Sequence, residues 1–263
     1  MYLNEIIPIA IDAGRAIMDV YAKEIDVQTK SDNSPLTEAD LASHNIIVES
    51  LHRLDPDIPV LSEESESIPF EVRRSWTRFW LIDPLDGTKE FIKRNDEFTV
   101  NIALIENNKP VLGVVYAPAL DLLFYGSLET GAFRRNGSGE THAISATRIR
   151  QNPVRVVGSR SHAGESLKHF LNELGPHKLI SMGSSLKLCL VASGEADIYP
   201  RLGPTSEWDT AASQAVVEAA GGRVTDTAGK MLRYGKKESL LNPYFLVFGD
   251  SGYPWHEHCG SRE

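Results

Sequence analysis

WLIDPLDGTKEF, residues 80–91, carries an apolar run straight into two aspartates, a proline, a glycine and a threonine. Trp80, Leu81 and Ile82 read as the end of a strand, which places Asp83, Asp86 and Thr88 where the chain leaves a sheet. Pro84 fixes the turn, so Asp83 and Asp86 can converge on one point together with the carbonyl of Leu85. Two carboxylates and a carbonyl are hard oxygen donors of the kind that Mg2+ prefers. Gly87 allows an anion close to the backbone, and a helix opening at Thr88 would offer its free N–H groups to a phosphate. Taken alone, the same residues are also ordinary turn chemistry with Thr88 as a cap.

Working outward, strand-like runs cover 79–82, 98–105, 111–117 and 122–125, with Asn107-Asn108-Lys109 as a hairpin connection and Asn136-Gly137 as another turn. Strands in unbroken succession predict an antiparallel or mixed sheet. Two amphipathic helices precede them, over 3–23 and 38–54, the second capped by Thr37 with Glu38 and Asp40 in its first turn. After residue 146 the rhythm alternates. Strand-like 154–157, 178–181 and the region of Ile198 are interleaved with helix-like 163–174, 184–193 and 209–220. The fold class predicted is α/β, with an α+β half over 1–145 and an α/β half over 146–263 packed as one body. The polar tail from Pro254 is predicted to fray.

With 263 residues, 41% of them hydrophobic, the chain can bury a large core. Its 36 acidic and 27 basic side chains give a net charge of -9 without a basic stripe, which argues against a nucleic-acid partner. An anionic substrate would then need local positive charge, for which bound divalent cations are the usual device. Cys189 lies in an apolar run and Cys259 in the tail, so no structural disulfide is expected and the predicted location is the cytoplasm. No apolar run reaches membrane-spanning length, and Asn4, Glu5 and Asp12 interrupt the first one. No GxxxxGK[ST] loop is present, and HEHC at 256–259 fits no zinc spacing. LSEE at 61–64 and EWDT at 207–210 add acidic groups at further segment ends, where surface charge and helix capping are the plainer readings.

Together, SPLTEAD (34–40), LSEE (61–64), DPLDGT (83–88) and EWDTAA (207–212), with GVVYAP (113–118) and GAFRRNG (131–137), resemble the motif set of the inositol monophosphatase superfamily. Its members are lithium-sensitive, Mg2+-dependent phosphomonoesterases, and the resemblance runs from about residue 3 to 248. It implies the αβαβα sandwich shared with fructose bisphosphatases. It also implies that Glu64, Asp83 and the Leu85 carbonyl hold one Mg2+, that Asp83, Asp86 and Asp209 hold a second, and that a third, weaker ion has room near Glu64. Two ions would clamp the attacking and leaving oxygens of an in-line displacement. The nucleophile implied is a metal-activated water, helped by Glu64 and by Thr88, whose hydroxyl Asp40 would orient; capping of its own helix is the alternative for Asp40. The phosphate would meet Glu64, Leu85, Asp86, Gly87, Thr88 and Asp209.

The segment 182–204 is similar to the 3'(2'),5'-bisphosphate nucleotidase branch of that superfamily. Inositol phosphatases usually carry an uncharged residue at the position of Lys187 and an acidic one at that of Arg201. A cationic pair suits a second phosphate, and Arg201 can hold it bidentately. The resemblance adds Gly183, Ser184 and His162 of GSRSH (158–162) to the nucleotide contacts. Singly, Lys187 and Arg201 read more readily as a solvated helix charge and a surface ion-pair member, and His162 as a structural histidine. The function implied is hydrolysis of adenosine 3',5'-bisphosphate to AMP and phosphate, and of its sulfated relative, in sulfur assimilation. An inositol or sugar phosphatase and a noncatalytic nucleotide-binding regulator are the alternatives. The expected partner is thus a small-molecule nucleotide, with no integral membrane segment; monomer, homodimer and peripheral contact with the inner membrane all stay open.

Overall fold

A computed structural model describes residues 2–22, 27–29, 35–65, 67–137, 139–158 and 164–259. The chain opens with α1 (Leu3–Tyr21), the short pair β1 (Val27–Thr29) and β2 (Pro35–Thr37), and α2 (Glu38–Leu54). Next come β3 (Val60–Ser62), α3 (Phe70–Arg73), β4 (Arg78–Asp86) and α4 (Thr88–Ile92). A meander follows: β5 (Thr99–Glu106), β6 (Lys109–Ala117), β7 (Leu122–Ser127), β8 (Gly131–Asn136) and β9 (Thr141–Ile144). The remainder is β10 (Val154–Gly158), α5 (Glu165–Leu174), β11 (His177–Ser181), α6 (Leu186–Ala192), β12 (Ile198–Arg201), α7 (Ala211–Ala219), β13 (Arg223–Asp226) and β14 (Phe245–Phe248).

Helical and strand periodicities sort the apolar side chains into layers. In α1, Ile6, Ala10, Ala13 and Ile17 recur at steps of three and four and are fully buried. Together with Ile47 and Leu51 of α2 they cover one face of a seven-stranded sheet, against Trp80, Ile82, Val100, Ile102 and Val114. Each of the buried isoleucines, leucines and valines in this set stabilises the fold by about 1.5–3 kcal/mol, and each alanine by less. The alternate residues Phe79, Leu81, Ala103 and Val115 point the other way, onto α6 and α7. That helical layer also packs on Tyr199, Val224, Phe245 and Val247 of a second, five-stranded sheet, whose far face meets α5 and Trp255. The order is helices, sheet, helices, sheet, helix, the αβαβα sandwich expected. Gly113 of β6 makes the central contact: a Cβ there would lie 2.2 Å from the carbonyl oxygen of Ala212, so α7 rests directly on the sheet backbone.

The large sheet runs β3-β4-β5-β6-β7-β8-β9, parallel between β3 and β4 and antiparallel thereafter. The smaller runs β11-β10-β12-β14-β13. The two cysteines form no disulfide, and among the described residues no helix is long and apolar enough to cross a membrane.

The tail departs from expectation. Instead of fraying at Pro254, residues Trp255–Cys259 form a 3-10 turn, with Trp255 fully buried beneath the smaller sheet and its Nε1 donating to the Asp250 carbonyl at 2.7 Å. His256 and His258 are engaged with Thr225 and Tyr253. One large aromatic side chain outweighs the polarity of its neighbours. Trp255→Ala is expected to lower stability by about 3–5 kcal/mol, measured as a shift of the urea midpoint; a change below about 1 kcal/mol would show the tail to be an accessory.

Candidate active site

The site begins at an irregularity in β4. Asp83 pairs with Asn101 and Asp86 with Thr99, so three steps along β4 oppose two along β5. Such a bulge bends the strand and re-aims its side chains. Ser43 of α2 pins it by donating to the Pro84 carbonyl at 2.7 Å. Gly87 follows at φ 89°, a left-handed conformation that lets α4 start at once.

Asp83 is fully buried at this bend. Its Oδ1 accepts from the Leu85 N–H at 3.1 Å, while Oδ2 is buried without a hydrogen-bond partner among the described residues. Glu63 arrives beside it because β3 runs parallel to β4, and the Glu63 N–H bonds the Ile82 carbonyl at 3.3 Å. Asp209 arrives from the start of α7, its Oδ2 accepting from the Ser206 N–H at 2.9 Å. Oxygens of Glu63, Asp83 and Asp209 all lie within 4.8 Å of one another. Burial, then the charges of Glu63, Asp86, Asp209 and Asp40, push the Asp83 carboxyl well above the usual range; burial and Asp86 do the same to Asp209. A divalent cation would reverse both effects, since it supplies the missing opposite charge and a partner for the orphaned Asp83 oxygen. The donor set is all oxygen and fits a hard cation.

Glu63, rather than the Glu64 expected, is the glutamate of this cluster. Consecutive residues leaving a strand point to opposite sides; Glu64 lies instead on the side of His44, whose pKa burial lowers and Glu64 raises. Asp40 is buried on α2, within electrostatic reach of Asp83. Thr88 Oγ1 donates to the Leu85 carbonyl at 3.4 Å. Glu207 of the EWD triplet faces elsewhere: fully buried, it accepts from the Gly235 N–H at 2.8 Å and from Lys237 Nζ at 2.9 Å.

A cavity of about 170 Å³ adjoins the cluster, lined by Asp86 and Asp209 on one side and by Ser184, Lys187 and Arg201 on the other. Lys187 is not the solvated helix charge that its position in α6 suggests. It is 9% exposed, and Nζ donates to the Ser184 carbonyl at 2.6 Å and lies 5.8 Å from the centroid of the Tyr199 ring. Burial lowers its pKa, against the pull of Asp86. Arg201 is braced by Thr205 Oγ1 at 2.5 Å and the Pro204 carbonyl at 2.6 Å. Ser184, at φ 51°, turns its hydroxyl onto Asp86. Gly183 donates to Glu97 at 2.7 Å, and the space a side chain there would take is filled by Glu97 and Glu90. His162 lies outside the described residues. A larger cavity of about 420 Å³ shares Lys89, Tyr199 and Arg201 with the first. Lys89 and Tyr199 went unnoticed in the sequence, although Lys89 directly follows the Gly87-Thr88 pair.

The inositol monophosphatase family model matches residues 2–252. The chain belongs to the inositol monophosphatase family. It is 54% identical over 247 residues to the 3'(2'),5'-bisphosphate nucleotidase CysQ of Escherichia coli O157:H7, covering 93% of this chain and 98% of that one. It is 47% identical to the protein of the same name from Buchnera aphidicola, over 93% and 92% of the two chains. The crystal structure of CysQ from Bacteroides thetaiotaomicron superimposes with a TM-score of 0.81 at 43% identity, covering 92% of this chain and 94% of that one.

The raised carboxyls of this family member set a pH dependence. A carboxyl whose pKa is higher folded than unfolded favours the native state while protonated. That contribution is complete below the unfolded value near 3.8 and is lost as pH climbs toward the raised one. The metal-free protein is therefore expected to melt at falling temperature as pH rises above the ordinary carboxyl value, until the raised carboxyls have ionised. Asp83→Asn should flatten the slope, and a divalent cation should raise the melting temperature most at the alkaline end. Scanning fluorimetry checks this; a metal-free melting point that climbs with pH over that range would contradict it.

Proposed function

We propose that the chain is a Mg2+-dependent phosphomonoesterase that removes the 3'-phosphate of adenosine 3',5'-bisphosphate, giving AMP and inorganic phosphate. The observation that carries this reading is the junction of the Glu63, Asp83 and Asp209 carboxylates with a cavity walled by Lys187 and Arg201. An acidic wall alone would repel a phosphate, and a basic wall alone would hold one without activating it. Relatives named 3'(2'),5'-bisphosphate nucleotidase, at 47% and 54% identity over nearly the full length, support the same reading.

In this reading Glu63, Asp83 and Asp209 would hold the metal, with Asp86 and the Leu85 carbonyl available to a second ion. Glu63 takes the part expected of Glu64. Magnesium bound there would supply charge neutralisation for the phosphoryl oxygens. The Thr88 hydroxyl, which donates to the Leu85 carbonyl in this structure, would position the attacking water once turned toward Asp40. Lys187 and Arg201 take the second phosphate of the nucleotide, Arg201 through the planar face of a guanidinium already held by Thr205 and Pro204. The wider cavity beside Tyr199 leaves room for the nucleoside. A nucleotide with sulfate on its 5'-phosphate presents the same 3'-ester and is proposed as a second substrate, which would tie the enzyme to sulfur assimilation.

Release of phosphate from adenosine 3',5'-bisphosphate, with Mg2+ and with EDTA, tests the assignment. Turnover is expected only with the metal, and Asp209→Asn should reduce kcat by roughly two orders of magnitude or more. Lys187→Met and Arg201→Ala should each raise KM for the bisphosphate about ten-fold or more, as loss of a charge-assisted contact does. Faster cleavage of inositol 1-phosphate than of the bisphosphate would overturn the substrate; a metal-independent rate would overturn the chemistry.

A further inference from the structure

We propose that Thr99 and Asn101 are positioning residues for Asp86, acting through Ser184 and Ser185. The proposal rests on the reading of Asp86 as a metal ligand. Thr99 and Asn101 are two apart on β5 and so share the face turned toward α6, while Val100 between them points into the α1 layer. They sit opposite the two ends of the β4 bulge, Asn101 against Asp83 and Thr99 against Asp86. Thr99, Asn101 and Ser185 are each at most 2% exposed. Thr99 Oγ1 lies 2.6 Å from Ser184 Oγ and 2.8 Å from Ser185 Oγ, and Ser185 Oγ lies 2.8 Å from Asn101 Oδ1. At the far end, Ser184 Oγ and the Ser185 N–H, the latter at 2.6 Å, both donate to Oδ2 of Asp86.

Counting protons gives the chain a direction. Each hydroxyl has one, and that of Ser184 goes to the carboxylate, so Thr99 must be the donor at its contact with Ser184. Ser185 then donates to Thr99 or to Asn101. The Asn101 Nδ2 is buried without a partner among the described residues. Turned over, the amide donates to Ser185, Ser185 to Thr99, Thr99 to Ser184 and Ser184 to Asp86. All the bonds on the path then point the same way, toward Asp86, which strengthens each of them. Both donors meet Oδ2, which leaves Oδ1 of Asp86 to a cation. Groups that orient a ligating carboxylate act on metal affinity without touching the metal.

A network that served only the core would alter stability and leave metal affinity alone, so the test reads both. Mg2+ titration calorimetry on the full chain compares wild type with Thr99→Val, which keeps the shape and deletes the hydroxyl, and with Thr99→Ser, which restores it. The expected result is Mg2+ affinity weakened roughly ten-fold in the valine variant and close to wild type in the serine variant, with unchanged circular dichroism. Equal affinity in wild type and Thr99→Val overturns the relay while leaving the metal centre intact. A wild type that takes up no Mg2+ overturns the metal reading and this proposal with it. If valine at 99 prevents folding, Ser185→Ala removes the adjoining hydroxyl but keeps the N–H on Asp86, and wild-type affinity in that variant overturns the proposal equally.

Discussion

Mutual repulsion of carboxylates is the constraint around which this molecule is arranged. Two unit charges 4.8 Å apart repel by roughly 3.5 kcal/mol at an effective dielectric constant of about 20. Glu63, Asp83 and Asp209 all fall within that distance, with Asp86 and Asp40 close behind. No folding advantage of the bare chain explains such a grouping. The layers hold it in place by force of packing: α1 and α2 on one side of the large sheet, α6 and α7 on the other. The cost of the site falls on a scaffold whose apolar burial is large enough to carry it.

The first two helices and the central strands were legible because their signal is periodic. Ile6, Ala10, Ala13 and Ile17 mark one helical face, and Phe79 to Ile82 alternate between two cores. Less was legible where periodicity fails. Phe245–Phe248 is buried on both faces and too short to show any alternation, and β8 and β9 carry exposed polar residues typical of a sheet margin. The buried Trp255 is a single residue in a polar stretch, which averaging over a window conceals.

Within the site, Asp83, Asp86 and Asp209 could be read from their places at element ends. The choice between Glu63 and Glu64 could not, since it depends on which side of β3 faces β4 and so on a sheet register invisible to motif spacing. Lys187 shows the opposite limit. Its charge stood out, but its burial against Tyr199 follows from the second sheet closing over α6. Thr99 and Asn101 gave no signal at all, being polar residues inside a strand whose partners are some eighty positions away.

In the smaller sheet, β14 lies between β12 and β13, although it is made after both. During synthesis, then, the strand Arg223–Asp226 can pair only with its own return segment at Met231, and it joins β12 only once Phe245–Phe248 has emerged from the ribosome and entered the gap. Ordering by such late, distant partners is slow and exposes open sheet edges to other nascent chains. Closure of the smaller sheet therefore waits on those four residues.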